Sequence, residues 1–368
     1  MGPSFPVYGP SCSATERTSM RRAFALLALA FVSGCGGSAD DPTVLPRTLA
    51  GPALTTVAAT MDSPGRGALI VSYPDRPVAG DIFGTQEVLV GPGNSYRTVP
   101  IGTLIDPRGR YVVLPGAHGT LTRLNLADRT ERRYRAPSEP GHTIPVAISP
   151  DGTRVLYGAS SDPGNPQVEH LHLLDLRSGA TRDLHTKAMT AAFSPDGTKV
   201  AIGNDGESVI LDPATGGRTP GPLGRRLAGD DAWSPDGRTL AYQENGELTV
   251  TLAPVDDSTE PVTLTDAGQF VGWRDPRTIL VFDYGGTVST VSGGTRTVVM
   301  TMPQSTGVED AAGALVAGLR FTETASPDRG PWQLRFRWPL LAAAAALAAT
   351  AALVVRRVRR VRQQPSRR

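Results

Sequence analysis

The decisive stretch is Ala147-Ile148-Ser149-Pro150-Asp151-Gly152-Thr153-Arg154-Val155-Leu156-Tyr157. It recurs as Ala192-Phe193-Ser194-Pro195-Asp196-Gly197-Thr198-Lys199-Val200-Ala201-Ile202, and again as Ala232-Trp233-Ser234-Pro235-Asp236-Gly237-Arg238-Thr239-Leu240-Ala241-Tyr242. Looser copies occupy 104–114, 272–282 and 61–71. With the proline as marker the positions are 64, 107, 150, 195, 235 and 276, so the steps are 43, 43, 45, 40 and 41. A steady period near forty residues is the signature of a repeat architecture, in which each repeat is one supersecondary unit.

Each copy reads as a hairpin. A short apolar strand runs into Ser-Pro-Asp-Gly, and a second strand of Val, Leu, Ile and Tyr follows. Proline presets φ for the turn, Asp bonds backbone amides ahead of it, and Gly takes the position with φ > 0. Further alternating runs follow, such as Glu169-His170-Leu171-His172-Leu173-Leu174-Asp175-Leu176, a Ser178-Gly179 turn and Ala180-Thr181-Arg182-Asp183-Leu184. Three or four strands per forty-odd residues make one propeller blade. The Ser-Pro-Asp-Gly repeats resemble the WD40-like blades of TolB-type β-propellers over residues 55–322. The expected fold is therefore all-β, a β-propeller of six or seven four-stranded blades. Gly307-Val308-Glu309-Asp310-Ala311-Ala312-Gly313, continuing to Leu319, reads as a seventh, eroded copy, and the count leans to seven. Ala53-Leu54-Thr55-Thr56-Val57-Ala58 reads as a first strand that could complete the last blade. Residues Pro150, Asp151, Gly152, Pro195, Asp196, Gly197, Pro235, Asp236 and Gly237 are expected to be structural turn residues. Trp233, Trp273, Tyr157 and Tyr242 fall at equivalent places and read first as blade core, second as a binding surface.

The ends of the chain carry different signals. Met20-Arg21-Arg22 opens a basic segment, 23–32 is a short apolar run, and Val32-Ser33-Gly34-Cys35 closes it. Ten apolar residues are too few to span a bilayer, so 1–35 reads as an export signal whose true start is Met20. The closing tetrapeptide resembles the bacterial lipobox, with Val in place of the usual leading Leu, which implies lipidation of Cys35. Residues 36–52 read as a linker, 53–321 as the propeller and 322–337 as a second linker. Residues 338–355 lack any charge, and at 1.5 Å per residue they reach about 27 Å as a helix, near the hydrocarbon thickness. They are expected to form one C-terminal transmembrane helix, anchored by Trp338, Leu340, Leu341, Leu347, Leu353, Val354 and Val355. Arg356, Arg357, Arg359 and Arg360 open a basic tail, 356–368, that would set the C-terminus in the cytoplasm.

Composition narrows the function. The formal net charge of +2 offers no global pull toward nucleic acid. Lys187 and Lys199 are the only lysines among 37 basic residues, a compositional bias rather than a chemistry. Of two cysteines, Cys12 precedes Met20 and Cys35 is the lipidation candidate, so the exported domain has no disulfide and no thiolate metal site. His170 and His172 are two apart on an expected strand and would share a face, but no third ligand accompanies them. No nucleophile elbow, zinc helix, phosphate loop or calcium loop is present. The expectation is a non-enzymatic, membrane-tethered extracytoplasmic propeller without cofactor. It would act as a scaffold whose partners are the membrane and another envelope protein or cell-wall component. The alternative is a lactonase-like hydrolase with its site at the central channel, where such enzymes use a few acids and an Asn; the sequence singles out no catalytic residue, and Asn204, Asn245 and Asp205 read as easily as turn residues. Fold alone does not decide between them.

Overall fold

The computed structural model describes residues 44–51, 53, 55–73, 86–117, 119–135, 142–160, 168–243, 248–256, 258–303, 307–323, 326–335 and 337–362. The signal region with Cys35, along with His118 and Asn245, lies outside the described residues.

The turn chemistry is the same in the three strong copies. Ser149 Oγ donates to Asp151 Oδ1 at 2.6 Å, Thr153 N donates to the same carboxylate at 3.0 Å, and Arg154 N donates to Ser149 Oγ at 2.9 Å. Ser194, Asp196, Thr198 and Lys199 repeat this pattern, as do Ser234, Asp236, Arg238 and Thr239. Gly152, Gly197 and Gly237 sit at φ of 70°, 70° and 71°, a region open to glycine. The hairpin is thereby fixed locally, before any contact between blades.

The strands assemble into six blades. The second blade in chain order has strands Leu104–Ile105, Tyr111–Leu114, Thr120–Asn125 and Glu131–Arg135. The third has His142–Ile148, Arg154–Ser160, His172–Asp175 and Thr181–Asp183, with Gly116–Ala117 added beside its inner strand. The fourth has Thr190–Phe193, Val200–Asn204, Glu207–Leu211 and Arg218–Pro220. The sixth has Gln269–Asp275, Thr278–Asp283, Thr287–Ser292 and Thr295–Thr301. The fifth has three regular strands, Thr239–Tyr242, Val250–Pro254 and Val262–Leu264, and an irregular inner segment described below.

The first blade closes the ring and corrects the leaning toward seven. Its inner strand is Gly307–Ala311, paired antiparallel with Leu69–Ser72, and Gln86–Gly91 and Ser95–Pro100 complete it. The copy at Pro64 has no inner strand of its own, and the eroded copy near 310 supplies that strand and nothing more. Two partial copies thus make one blade. Where the other copies turn through Ser-Pro-Asp-Gly, this one turns through the short helix α1 (Gly313–Val316).

The segment expected to complete the last blade does something else. Residues 57–59 run along the outer edge of the first blade, where Thr98 N donates to Val57 O at 3.0 Å and Ala59 N donates to Thr98 O at 3.0 Å. Val44–Pro46 pairs in parallel with Arg320–Thr322, and Leu49 N donates to Thr301 O at 2.9 Å on the outer edge of the sixth blade. The chain ends therefore cover exposed sheet edges, which would otherwise invite strand addition from another molecule.

Six hydrophobic clusters lie between the six pairs of adjacent blades. Second strands feed both sides through their two-residue period: Val155 and Tyr157 face the second blade while Leu156 faces the fourth. This is why they read in sequence as continuous apolar runs. Polar bonds also step one repeat at a time. Tyr111 OH donates to Gly152 O at 2.7 Å, Trp233 Nε1 to Ala192 O at 3.1 Å and Trp273 Nε1 to Ala232 O at 3.2 Å, each spanning 41 residues.

After the propeller come α2 (Trp332–Arg335) and α3 (Arg337–Arg362). The transmembrane helix expected over 338–355 is a correction: among the described residues no helix is long and apolar enough to cross a membrane. Nine residues of α3 are alanine, each with little apolar area to bury, and arginines bound it at both ends. Leu341, Leu347, Leu353, Val354 and Val355 are exposed on it. Arg356 is exposed as well, while the side chains of Trp338, Leu340, Arg357, Arg359 and Arg360 lie outside the described residues.

Candidate functional site at the channel mouth

Where the Ser-Pro-Asp-Gly turns converge, they enclose a cavity of about 220 Å³. Pro107, Pro150, Pro195 and Pro235 form its rim. Beneath them stand the residues that precede each turn, Ile148, Phe193, Trp233 and Trp273, and Gly313 and Ala314 close the circle from α1. Both tryptophans are almost fully buried, so they serve the blade core and the cavity wall at once. Proline and tryptophan are rigid here, because the turn and the bonds to Ala192 and Ala232 fix them. The turn acids Asp151, Asp196 and Asp236 do not enter the cavity. They are held by their own turns: burial pushes the Asp151 carboxyl up, but hydrogen bonds from Ser149 and Thr153 and the Arg154 charge together hold it below the usual carboxylate range, and hydrogen bonds from Ser194 and Thr198 hold Asp196 there.

The floor of the cavity is made by Asp230 and Asp231. They exist there because the inner strand of the fifth blade is broken. Ala228 N donates to Ala241 O at 2.9 Å, and Ala241 N donates to Ala232 O at 2.9 Å, so three residues, 229–231, bulge out opposite Ala241. Such a bulge re-aims side chains away from the ladder. A small second cavity of about 50 Å³ continues behind them, lined by Asp230, Asp231, Glu309 and Asp310. Asp310 is 6% exposed, and its carboxylate accepts from Ile105 N at 2.6 Å and Ala311 N at 2.7 Å.

Burial dominates the electrostatics of this trio. It pushes the Asp230 carboxyl up to about 6, against the pull of the Asp230 and Asp231 backbone N–H groups. Asp231 is held well above the usual range by burial and then by the charge of Asp230. Asp310 is raised likewise, by burial first and its two acidic neighbours next. Nearby, Glu87 is 5% exposed and pushed up to about 8 by burial, with Glu309 adding to the rise. Asp231 Oδ2 is shut off from solvent and receives no hydrogen bond from the described residues. Its carboxylate lies against Gly313, where a methyl group would overlap both oxygens. Among the described residues no group of three or more His, Cys, Asp or Glu side chains is placed to hold a metal ion.

None of these acids stands out as a motif in the sequence. The available signal was a break in the repeat: four residues before the marker proline stand Thr103, Val146, Ala191, Asp231 and Gly272, so among these five copies only that of the fifth blade has an acid there. The other candidates scatter. His170 precedes the strand His172–Asp175 in a bend, so the two imidazoles do not share a strand face, and His172 stacks on Tyr157 at 5.1 Å. Asn204 accepts from Met189 N at 3.0 Å and donates to Lys187 O at 3.3 Å. With Asp205 it borders an open outer groove of about 640 Å³ between the third and fourth blades, apart from the channel mouth.

No family model matches this chain, and no curated protein matches it. Among solved structures it is similar to TolB from Acinetobacter baumannii, at 16% identity over 67% of each chain with a TM-score of 0.47. It is also similar to a putative TolB from Agrobacterium tumefaciens, at 19% identity over 66% of this chain and 96% of that one, with a TM-score of 0.40. On its own strand pairing the chain is a six-bladed β-propeller.

Proposed function

We propose that the chain is an extracytoplasmic, membrane-attached binding module, not an enzyme, and that its turn face holds a partner protein or another envelope component. The observation that carries this reading is the mouth cavity, a preformed apolar recess ringed by four prolines and walled by three aromatic rings. Groups already locked in place lose little conformational freedom when a partner seats on them. At about 220 Å³ the recess falls below the usual size of a small-molecule site and suits a single projecting side chain. Export rests on the 20–35 signal, and attachment on a lipid at Cys35 together with α3. The exposed apolar side chains of α3, Leu347 at 72% among them, call for cover that a lipid surface would supply.

Site-specific photo-crosslinking in intact cells tests this. A photoreactive residue at Ala314, exposed on the rim, is expected to yield one discrete adduct. One at Val298, exposed on the outer strand of the sixth blade, is expected to yield none. No adduct from Ala314, or equal adducts from both positions, would refute the assignment of the turn face.

A further inference from the structure

We propose that the mouth cavity receives a hydrogen-bond-donating organic cation, the ammonium or guanidinium end of a lysine or arginine side chain projected by the partner, with Asp231 as its acceptor. This rests on the turn face being the partner surface, and it adds what the recess recognises.

Four observations converge. No described residue donates to Asp231 Oδ2, which is shut off from solvent, while the residue keeps part of its surface open, so a guest would meet the carboxylate on its open side; buried acceptors in native proteins find donors. Asp231 lines both the mouth cavity and the smaller one behind it, so its carboxylate marks the depth a guest would reach. No lysine or arginine lines either cavity, so no cation among the lining residues serves these acids. The walls above are Phe193, Trp233 and Trp273, whose apolar area accommodates a methylene stem, and the Arg154 guanidinium already stacks 5.4 Å from the Phe193 ring, an example of the cation–aromatic contact this wall supports. A neutral apolar side chain would satisfy the walls and leave the acceptor stranded. A bare metal ion would find no cage of three ligands among the described residues. A long basic side chain meets both requirements.

The local backbone supports a role beyond folding. Other copies manage the equivalent position with Thr103, Val146, Ala191 and Gly272, so the hairpin does not require an acid. The bulge at 229–231 gives up ladder bonds to turn two acids inward. Gly313 leaves the space that the Asp231 carboxylate occupies. Burying three like charges together opposes folding. Such a cost is common at functional sites, where a guest later offsets it.

The test titrates the full chain with butylguanidinium and butylammonium, reading binding by calorimetry and by the fluorescence of Trp233 and Trp273. Butylurea serves as the neutral control, and tetramethylammonium as a cation without N–H donors. The two donor cations are expected to bind saturably, and both controls about tenfold or more weaker. Asp231→Asn should weaken the donor cations by a similar factor while keeping the fold, since it removes a buried charge. Gly313→Ala, which crowds the carboxylate and leaves its charge, should also weaken them. No saturable binding to the wild type, equal binding of butylurea, or unchanged binding in Asp231→Asn would overturn the proposal. Crosslinking at Ala314 separates the two readings. An adduct that persists in Asp231→Asn and in excess butylguanidinium keeps the partner surface and sinks the cation receptor.

Discussion

Replacing Asp230 by asparagine should stabilise the protein, contrary to the usual effect of a substitution inside a folded domain. Burial raises this carboxyl to about 6, whereas a free aspartate titrates near about 3.9. The native state therefore binds the proton more tightly than the unfolded state. Between about pH 4 and 6 it holds more protons, so stability falls as pH rises through that window, and the full loss is in place above pH 6. A rise of about two pH units, at about 1.36 kcal/mol each, sets an upper bound near 3 kcal/mol. Asp230 is only half-buried, and channel water screens part of this, leaving about 1–2 kcal/mol. For a domain of this size that is roughly 2–8 °C in Tm. The assay is thermal and urea unfolding of wild type and Asp230→Asn at pH 4.5 and 7.5. The variant should gain at pH 7.5, and most of the gain should vanish at pH 4.5. A lower Tm at pH 7.5, or a gain independent of pH, would refute the claim that ionising this acid opposes folding.

Three further outcomes are expected. Glu87, 5% exposed and raised to about 8, should give Glu87→Gln an advantage that grows from about pH 4 to 8 and levels off above. Urea midpoints at pH 4.5, 6.5 and 8.5 check it, and a flat difference would contradict the burial argument. Gly152→Ala should cost about 2–4 kcal/mol, because φ is 70° and a methyl would overlap the Asp106 carboxylate, which is ion-paired with Arg110 at 2.8 Å. Gly206→Ala, at φ of 79° with open space around it, should cost about 1 kcal/mol, and denaturation midpoints that rank the two the other way would refute the packing term.

Much of the blade was legible because its determinants are local. Ser149, Pro150, Asp151 and Gly152 lie within four residues and close their turn on themselves, so the motif carries its own geometry. The aromatic positions were legible too, since Trp233 and Trp273 keep the repeat period and bond one blade back. The C-terminal helix was visible from its composition, but the same alanine run that favours a helix also lowers its apolar area. Its length in the sequence therefore suggested a span that the structure does not bear out.

By itself the sequence determined a propeller of repeated hairpins, with proline, aspartate and glycine at each turn and apolar strands between. The tertiary structure decided the blade number, the mouth cavity and the acids on its floor. Ring closure pairs Leu69 with Ala311, residues from the first and last copies of the repeat, and so two partial copies become one blade. The prolines meet only because six turns converge on one axis. Asp230 and Asp231 face inward only because the strand beside Ala241 bulges, and their burial depends on neighbours from other blades. Local geometry is written in residues a few positions apart, whereas closure, convergence and desolvation arise from residues brought together across the whole chain.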